Sequence, residues 1–217
     1  MLDRYVVGFQ NKTLQPLASR MAAAGIGADQ ITVAGFCIGV VSCGLIAREY
    51  YVAGLALFLL NRLCDGLDGA VARQSRPTDR GAFLDIASDF MIYGLFPLGF
   101  ALARPGANAL AASCLLASFM GTGSSFLAFA VIAAKRGIVA SEFPRKGIYY
   151  LGGLTEGTET ILAFTLMCVW PDWFAAIAVT FAGLALVTTV MRWAWGWRAF
   201  SEAVSLRAAS EPCGSLS

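Results

Sequence analysis

Residues 110–133 read LAASCLLASFMGTGSSFLAFAVIA, an apolar run without one charged side chain. A helix needs about 20 predominantly apolar residues to cross the hydrocarbon core of a bilayer, and residues 174–190 supply a second run approaching that length. Around them the chain of 217 residues is 58% hydrophobic and only 14% charged, where a soluble domain of this size carries nearly twice that charge. The fold class is therefore all-α integral membrane. Spans are expected at about 31–47, 51–72, 82–103, 108–133, 147–169 and 173–195, a bundle of six transmembrane helices. Arg104-Pro105-Gly106 and Pro171-Asp172 are breakers between spans.

Ahead of the first span, Leu2, Tyr5, Val6 and Phe9, then Leu14, Leu17, Ala18 and Met21, recur at three- and four-residue spacing. This pattern predicts an N-terminal amphipathic helix lying at the interface, and the stretch lacks the apolar core and cleavage site of a signal peptide. The expected organisation is an interfacial helix over 1–29, a single six-helix domain over 30–199 and a polar C-terminal tail over 200–217.

Orientation follows from the basic residues. Arg4, Lys12, Arg20, Arg73, Arg76, Arg80, Lys135, Arg136, Arg145, Lys146, Arg192, Arg198 and Arg207 fall on one side, against Arg48 and Arg104 on the other, with Arg62 inside a span. By the positive-inside rule both termini face the cytoplasm, as do the loops after the second and fourth spans. A multi-pass protein of a bacterial inner membrane is the expected setting.

There is no histidine, so imidazole bases, Ser-His-Asp triads and histidine-ligated metals are excluded. The six cysteines form no C-x-x-C pair and read as small core residues. A net charge of +2, with no basic patch interleaved with aromatics, argues against a nucleic-acid partner. Catalysis is left to carboxylates, Lys, Tyr or metal ions.

Six acidic residues fall within the expected spans: Asp65, Asp68, Asp85, Asp89, Glu156 and Glu159. Each isolated intramembrane carboxylate costs about 2.5–3.5 kcal/mol even on the lenient insertion scale, so they must share cations, protons or water. Asp65 and Asp68 share one helical face, Asp85 and Asp89 share another, and the two antiparallel helices bring both pairs to the same end. Carboxylates alone make a hard oxygen site, suited to Mg2+ or Mn2+, with two bridged ions expected. Gly66, Gly69, Ala70, Ala72, Gly81 and Ala82 surround the acids and allow close approach of a bulky ligand; packing between membrane helices is the other use of such residues.

Residues 65–89, DGLDGAVARQSRPTDRGAFLDIASD, fill every fixed position of D-x2-D-G-x2-A-R-x7-8-G-x3-D-x3-D. The stretch resembles the signature of the CDP-alcohol phosphatidyltransferase family, whose fold is a six-helix membrane domain usually paired as a homodimer. Elsewhere the chain resembles the family only in its span layout. The resemblance implies that Asp65, Asp68, Asp85 and Asp89 form the divalent-metal site, and that Asp89 also serves as general base. It further implies that Gly69, Ala72, Arg73 and Gly81 contact the cytidine nucleotide, with Arg73 on a phosphate. Residue chemistry agrees with the last point: a guanidinium at the cytoplasmic end of a helix can fork onto a diphosphate.

The acceptor is less determined. Glu156 and Glu159, with Thr155 or Thr160 nearby, suit the hydroxyls of a polyol or an ammonium group. Arg192, Arg145 and Lys146 suit a phosphorylated acceptor, while Lys135 and Arg136 are accounted for by topology and lipid headgroups. Gly121, Gly123, Ser124 and Ser125 read as helix-packing residues, and Trp193, Trp195, Trp197, Tyr149 and Tyr150 as interfacial belt. The expected reaction moves a phosphatidyl group from a CDP-linked lipid donor, CDP-diacylglycerol, to a small alcohol acceptor, with a weak preference for a phosphopolyol, releasing CMP in phospholipid biosynthesis. Two other readings stand beside it. One is a CDP-amino-alcohol phosphotransferase acting on a lipid hydroxyl; the other is a cation- or proton-coupled transporter, since membrane carboxylates also line ion pathways.

Overall fold

The computed structural model describes residues 3–74, 77–137 and 153–210, giving the backbone alone for 3–12 and 202–210. Among the described residues the regular structure is entirely helical: α1 (Asp3–Ala23), α2 (Ala28–Ala47), α3 (Tyr51–Gln74), α4 (Asp79–Ala103), α5 (Pro105–Lys135), α6 (Gly157–Val169), a 3-10 turn at Pro171–Trp173, and α7 (Phe174–Ser210). Four stretches, Ala28–Ala47, Asp79–Ala103, Pro105–Lys135 and Pro171–Ser201, are long and apolar enough to cross a membrane.

Two further expected spans, on α3 and α6, fall short of that measure for physical reasons. The second half of α3 carries Arg62, Asp65, Asp68 and Arg73, which lower its apolar character. Helix α6 has only 13 residues, because Thr155 and Glu156 form its entry rather than its interior; residues 147–152 of the expected fifth span lie outside the described residues. At the other end, α7 continues as one helix to Ser210, beyond the boundary expected at 199.

Local chemistry sets the helix ends. Thr78 caps α4, its Oγ1 accepting from the Gly81 N–H at 3.1 Å. The Gln30 Oε1 accepts from the Gly27 N–H at 3.1 Å before α2, and Glu159 Oε2 accepts from the Glu156 N–H at 3.2 Å before α6. Pro105 opens α5 at its first turn, where no helical N–H is needed. Glu49 adopts a φ of 64° to close the short α2–α3 turn.

Helix α2 fits between α3 and α4 through small residues. A Cβ at Gly35 would stand 2.8 Å from the Cys64 Cβ, and one at Gly99 would stand 2.9 Å from the Cys43 carbonyl oxygen. Aromatic rings then fill the half of the bundle away from the acids: Phe96 stacks on Phe164 at 4.0 Å and Phe100 on Phe174 at 4.4 Å, while Phe58 meets Phe96 at 4.8 Å. These contacts tie α3, α4, α6 and α7 together. At the same end, Arg104 joins three turns, donating to Glu49 Oε2 at 3.0 Å and to Asp172 Oδ1 at 2.5 Å.

Helix α1 contributes Leu14 and Ala18 to a second core with Ile31, Leu67, Ala70 and Val71. Met21 packs at its margin, and Leu17 faces outward. Helices α5 and α7 come together where Gly121 leaves room for Thr189, which agrees with the helix-packing reading of Gly121.

Candidate active site

Antiparallel α3 and α4 bring the C-terminal half of one beside the N-terminal half of the other. Asp65 and Asp68 of α3 and Asp85 and Asp89 of α4 thereby line one cleft with an empty volume of about 220 Å3, together with Thr32, Gly35, Phe36, Asn61, Arg62 and Ser88. The expected convergence of the two carboxylate pairs is thus present in the folded chain.

Each acid has a different environment. Asp68 is buried, and its Oδ2 accepts from the Thr32 hydroxyl of α2 at 2.6 Å. Asp89 is partly exposed, and its Oδ1 accepts from Arg62 Nη2 at 2.7 Å across the α3–α4 interface. Asp65 stands 3.9 Å from Arg62 Nη1. Asp65 and Asp85 are both half-buried.

The donor set suits a hard divalent cation: four carboxylates supply oxygens alone, and their accumulated negative charge exceeds what Arg62 offsets. Among the described residues, no three acidic side chains are gathered tightly enough to hold one ion as they stand. Thr32 engages Asp68, and Arg62 engages Asp89.

The remaining signature residues flank the acids. Arg73 is exposed at the end of α3 and lies over Gly69, where a Cβ would stand 3.3 Å from Arg73 Nη1. Ala72 is half-buried beside it. A Cβ at Gly81 would stand 2.9 Å from Asp29 Oδ1 and 3.2 Å from the capping Thr78 Oγ1, so a side chain there would displace the Asp29 carboxylate. Asp29 in turn accepts from Arg80 Nε at 3.0 Å, joining the start of α2 to that of α4.

Among the described residues, the expected acceptor residues Arg192, Glu156 and Glu159 are not part of this cleft's lining. Arg192 of α7 donates through Nη1 to the Thr122 carbonyl of α5 at 3.1 Å. Glu156 and Glu159 sit at the entry to α6, and Glu159 also borders an apolar groove with Leu162, Leu166, Ile177 and Phe181. Their neighbouring threonines are used locally: Thr155 bonds Thr188 at 3.1 Å, and Thr160 donates to the Glu156 carbonyl at 2.9 Å. Arg145 and Lys146, like Tyr149 and Tyr150, lie outside the described residues. Arg136 donates to the Phe200 carbonyl at 2.8 Å and stands over the Phe200 ring.

Sequence reasoning assigned no role to Thr32, Asn61 or Arg62, although all line the cleft. For Arg62 a signal was present: a guanidinium inside a span, three residues before Asp65, is costly unless paired. Thr32 and Asn61 carried none, because their roles arise only when α2 meets α3.

Comparison with known proteins agrees with the fold and the signature. The family model for CDP-alcohol phosphatidyltransferase matches residues 26–198. The inner membrane protein YnjF of Escherichia coli (strain K12) is 50% identical over 192 residues, covering 88% of this chain and 93% of that protein. The crystal structure of Mycobacterium tuberculosis phosphatidylinositol phosphate synthase in complex with manganese and citrate shares the fold, with a TM-score of 0.67, 24% identity and coverage of 85% of this chain and 88% of that one. The same enzyme with CDP-DAG bound gives a TM-score of 0.61 and 22% identity, covering 86% and 94%. Family membership replaces the transporter reading with an enzymatic one. An acidic cleft built on two helices, in a chain whose length from 26 to 198 fits one family model, makes this protein a member of the CDP-alcohol phosphatidyltransferase family, membrane enzymes of phospholipid synthesis.

Proposed function

We propose that the protein transfers a phosphatidyl group from CDP-diacylglycerol to a small polar alcohol, releasing CMP at the cytoplasmic face of the membrane. The convergence of Asp65, Asp68, Asp85 and Asp89 in one cleft, within a complete signature, is the observation that carries this reading. The solved relative with CDP-DAG bound supports the donor, and its manganese complex supports a divalent metal.

In this reading Asp65, Asp68, Asp85 and Asp89 would hold Mg2+ or Mn2+, two ions in all. The bound metal would neutralise the donor's diphosphate and improve CMP as a leaving group. Arg73 forks onto a donor phosphate, and Gly69, Ala72 and Gly81 admit the cytidine nucleotide to the helix surface. Asp89 takes the proton of the acceptor hydroxyl as its oxygen bonds to the phosphorus that bears the diacylglycerol oxygen. The bond from that phosphorus to the CMP oxygen breaks, and CMP departs with the electron pair.

The favoured acceptor is a phosphopolyol, with Arg192, Arg145 and Lys146 receiving its phosphate and Glu156 and Glu159 its hydroxyls. The name of the solved relative, a phosphatidylinositol phosphate synthase, supports that preference. Helices α3 and α6 complete six spans, α1 lies at the cytoplasmic interface, and two copies pair as a homodimer. The unit over 30–199 carries the activity, between the segments 1–29 and 200–217.

The test is to incubate the purified protein with CDP-diacylglycerol and a panel of phosphorylated and unphosphorylated alcohols, measuring CMP release and product mass. Product with a phosphorylated polyol alone supports the full reading. Product with an unphosphorylated alcohol removes the phosphate pocket, and product only from a water-soluble CDP-alcohol and diacylglycerol reverses donor and acceptor.

A further inference from the structure

The acidic cleft is lined by few side chains that can donate a hydrogen bond to a ligand, and among the described residues all but one already have an acceptor. The Thr32 hydroxyl donates to Asp68, and Asn61 Nδ2 donates to the Gly35 carbonyl of α2 at 2.9 Å. Arg62 directs Nε to Asn61 Oδ1 at 2.9 Å, Nη2 to Asn61 and Asp89, and Nη1 to the Tyr93 hydroxyl at 3.3 Å. The four carboxylates, when ionised, only accept.

Ser88 of α4 is the exception. Three residues after Asp85, it shares a helix face with that acid and lines the cleft half-buried. Other hydroxyls in these helices turn back to a carbonyl of their own helix, as Ser113 does to Ala109 at 2.8 Å, Thr165 to Ile161 at 2.8 Å and Ser201 to Trp197 at 2.7 Å. The Ser88 hydroxyl has no such bond, and no other hydrogen-bond partner among the described residues. Seven residues separate it from Gly81, about 10 Å along α4. It therefore lies deeper than the residues proposed to admit the nucleotide, and next to the proposed base Asp89.

We infer that the Ser88 hydroxyl donates to a non-bridging oxygen of the donor's distal phosphoryl group, the one transferred, and fixes that group in the cleft. The inference rests on the proposed CDP-linked donor, and it leaves all four aspartates to the metal. A phosphoryl oxygen is the partner these surroundings favour. It is anionic, and a hydroxyl bonds an anionic oxygen more strongly than a neutral one while adding no charge of its own. The attacking alcohol oxygen is neutral and directs a lone pair at phosphorus, so it is the poorer acceptor.

The experiment compares wild type with Ser88→Ala, each as the full chain in detergent. Mn2+ binding without substrate is read from the electron paramagnetic resonance signal of free Mn2+, and the affinities for CDP and CMP are then measured by calorimetry at saturating Mn2+. CDP carries the distal phosphoryl group and CMP lacks it. Ser88→Ala is expected to bind CDP about tenfold more weakly, the loss of one hydrogen bond to a charged group, while its affinities for CMP and Mn2+ stay within about twofold. A merely structural role would weaken CDP and CMP together. Unchanged CDP affinity, or equal losses for CDP and CMP, overturns the inference; so does a loss of Mn2+ affinity, which would make Ser88 a metal ligand. Should Ser88→Ala fail to fold, Ser88→Cys, whose S–H is a weak donor, decides: CDP weakened with CMP and Mn2+ unchanged supports the inference, and any other pattern overturns it. Wild type that binds Mn2+ but neither nucleotide defeats the CDP-donor reading and this inference together. Wild type that binds both nucleotides, with no CDP loss in Ser88→Ala, defeats this inference alone.

Discussion

The Thr32 hydroxyl donates to the Asp68 carboxylate at 2.6 Å, linking the first turns of α2 to the acidic edge of α3. Asp68 is 4% exposed, so this bond gives the carboxylate a partner where little water reaches it. Thr32→Val keeps the shape and removes the donor. A bond of this kind to a charged group contributes about 1.5–3 kcal/mol, and the variant is expected to lose about that much stability in metal-free detergent solution. Denaturation monitored by circular dichroism checks it; a variant as stable as wild type would show that Asp68 does not depend on Thr32.

The opposite half of the bundle offers a change that separates folding from chemistry. A Cβ at Gly99 would press on the Cys43 carbonyl oxygen at 2.9 Å and on Ile46 at 3.2 Å. Gly99→Ala should therefore cost about 1–3 kcal/mol through overpacking, while kcat per folded molecule stays within twofold, since Gly99 lies among the aromatic contacts of the far half. Thermal denaturation and specific activity measured on the same preparation test both parts.

Asp89→Asn should behave differently from Asp65→Asn. If Asp89 removes the acceptor's proton, its amide loses turnover by about a hundredfold or more but retains donor and metal binding better than Asp65→Asn does. Donor affinity measured beside kcat for both variants distinguishes the cases. Equal loss of donor binding in the two would make Asp89 chiefly a metal ligand and place the base elsewhere.

The proposed phosphate pocket rests on Arg192, which bridges α7 to the Thr122 carbonyl of α5. Arg192→Ala should raise the acceptor KM about tenfold or more with little change in donor KM, because a charged contact to the acceptor is lost. Glu156→Gln should be milder. A silent Arg192→Ala beside a severely impaired Glu156→Gln would favour an unphosphorylated alcohol or amino alcohol.

How far these features can be read in the sequence depends on the range of the interaction behind them. The aspartate pairs were legible because three- and four-residue spacing fixes a helical face, and a short loop between α3 and α4 fixes which ends meet. The packing use of Gly121 was legible for the same local reason. Arg62 was visible as an unpaired charge within a span, but its partners Asp89, Tyr93 and Asn61 are set by how α2, α3 and α4 meet. Thr32 and Asp29 are ordinary residues of an apolar helix until α3 and α4 arrive beside them. The late start of α6 followed from Glu159 capping the helix, a use of the residue that competes with reading it as part of a spanning interior.

The most direct measurement is CMP release from CDP-diacylglycerol by the wild type, Asp68→Asn and Asp85→Asn, each titrated with Mg2+ and returned to zero metal with chelator. The wild type should release CMP only with metal present, reversibly. Both variants should remain extractable and folded, yet stay at background at every metal concentration, because each removes a charge from the cleft that holds the ion. CMP release that persists in chelator, or more than a small fraction of wild-type activity in either variant at saturating Mg2+, would contradict a metal-dependent transfer centred on these aspartates.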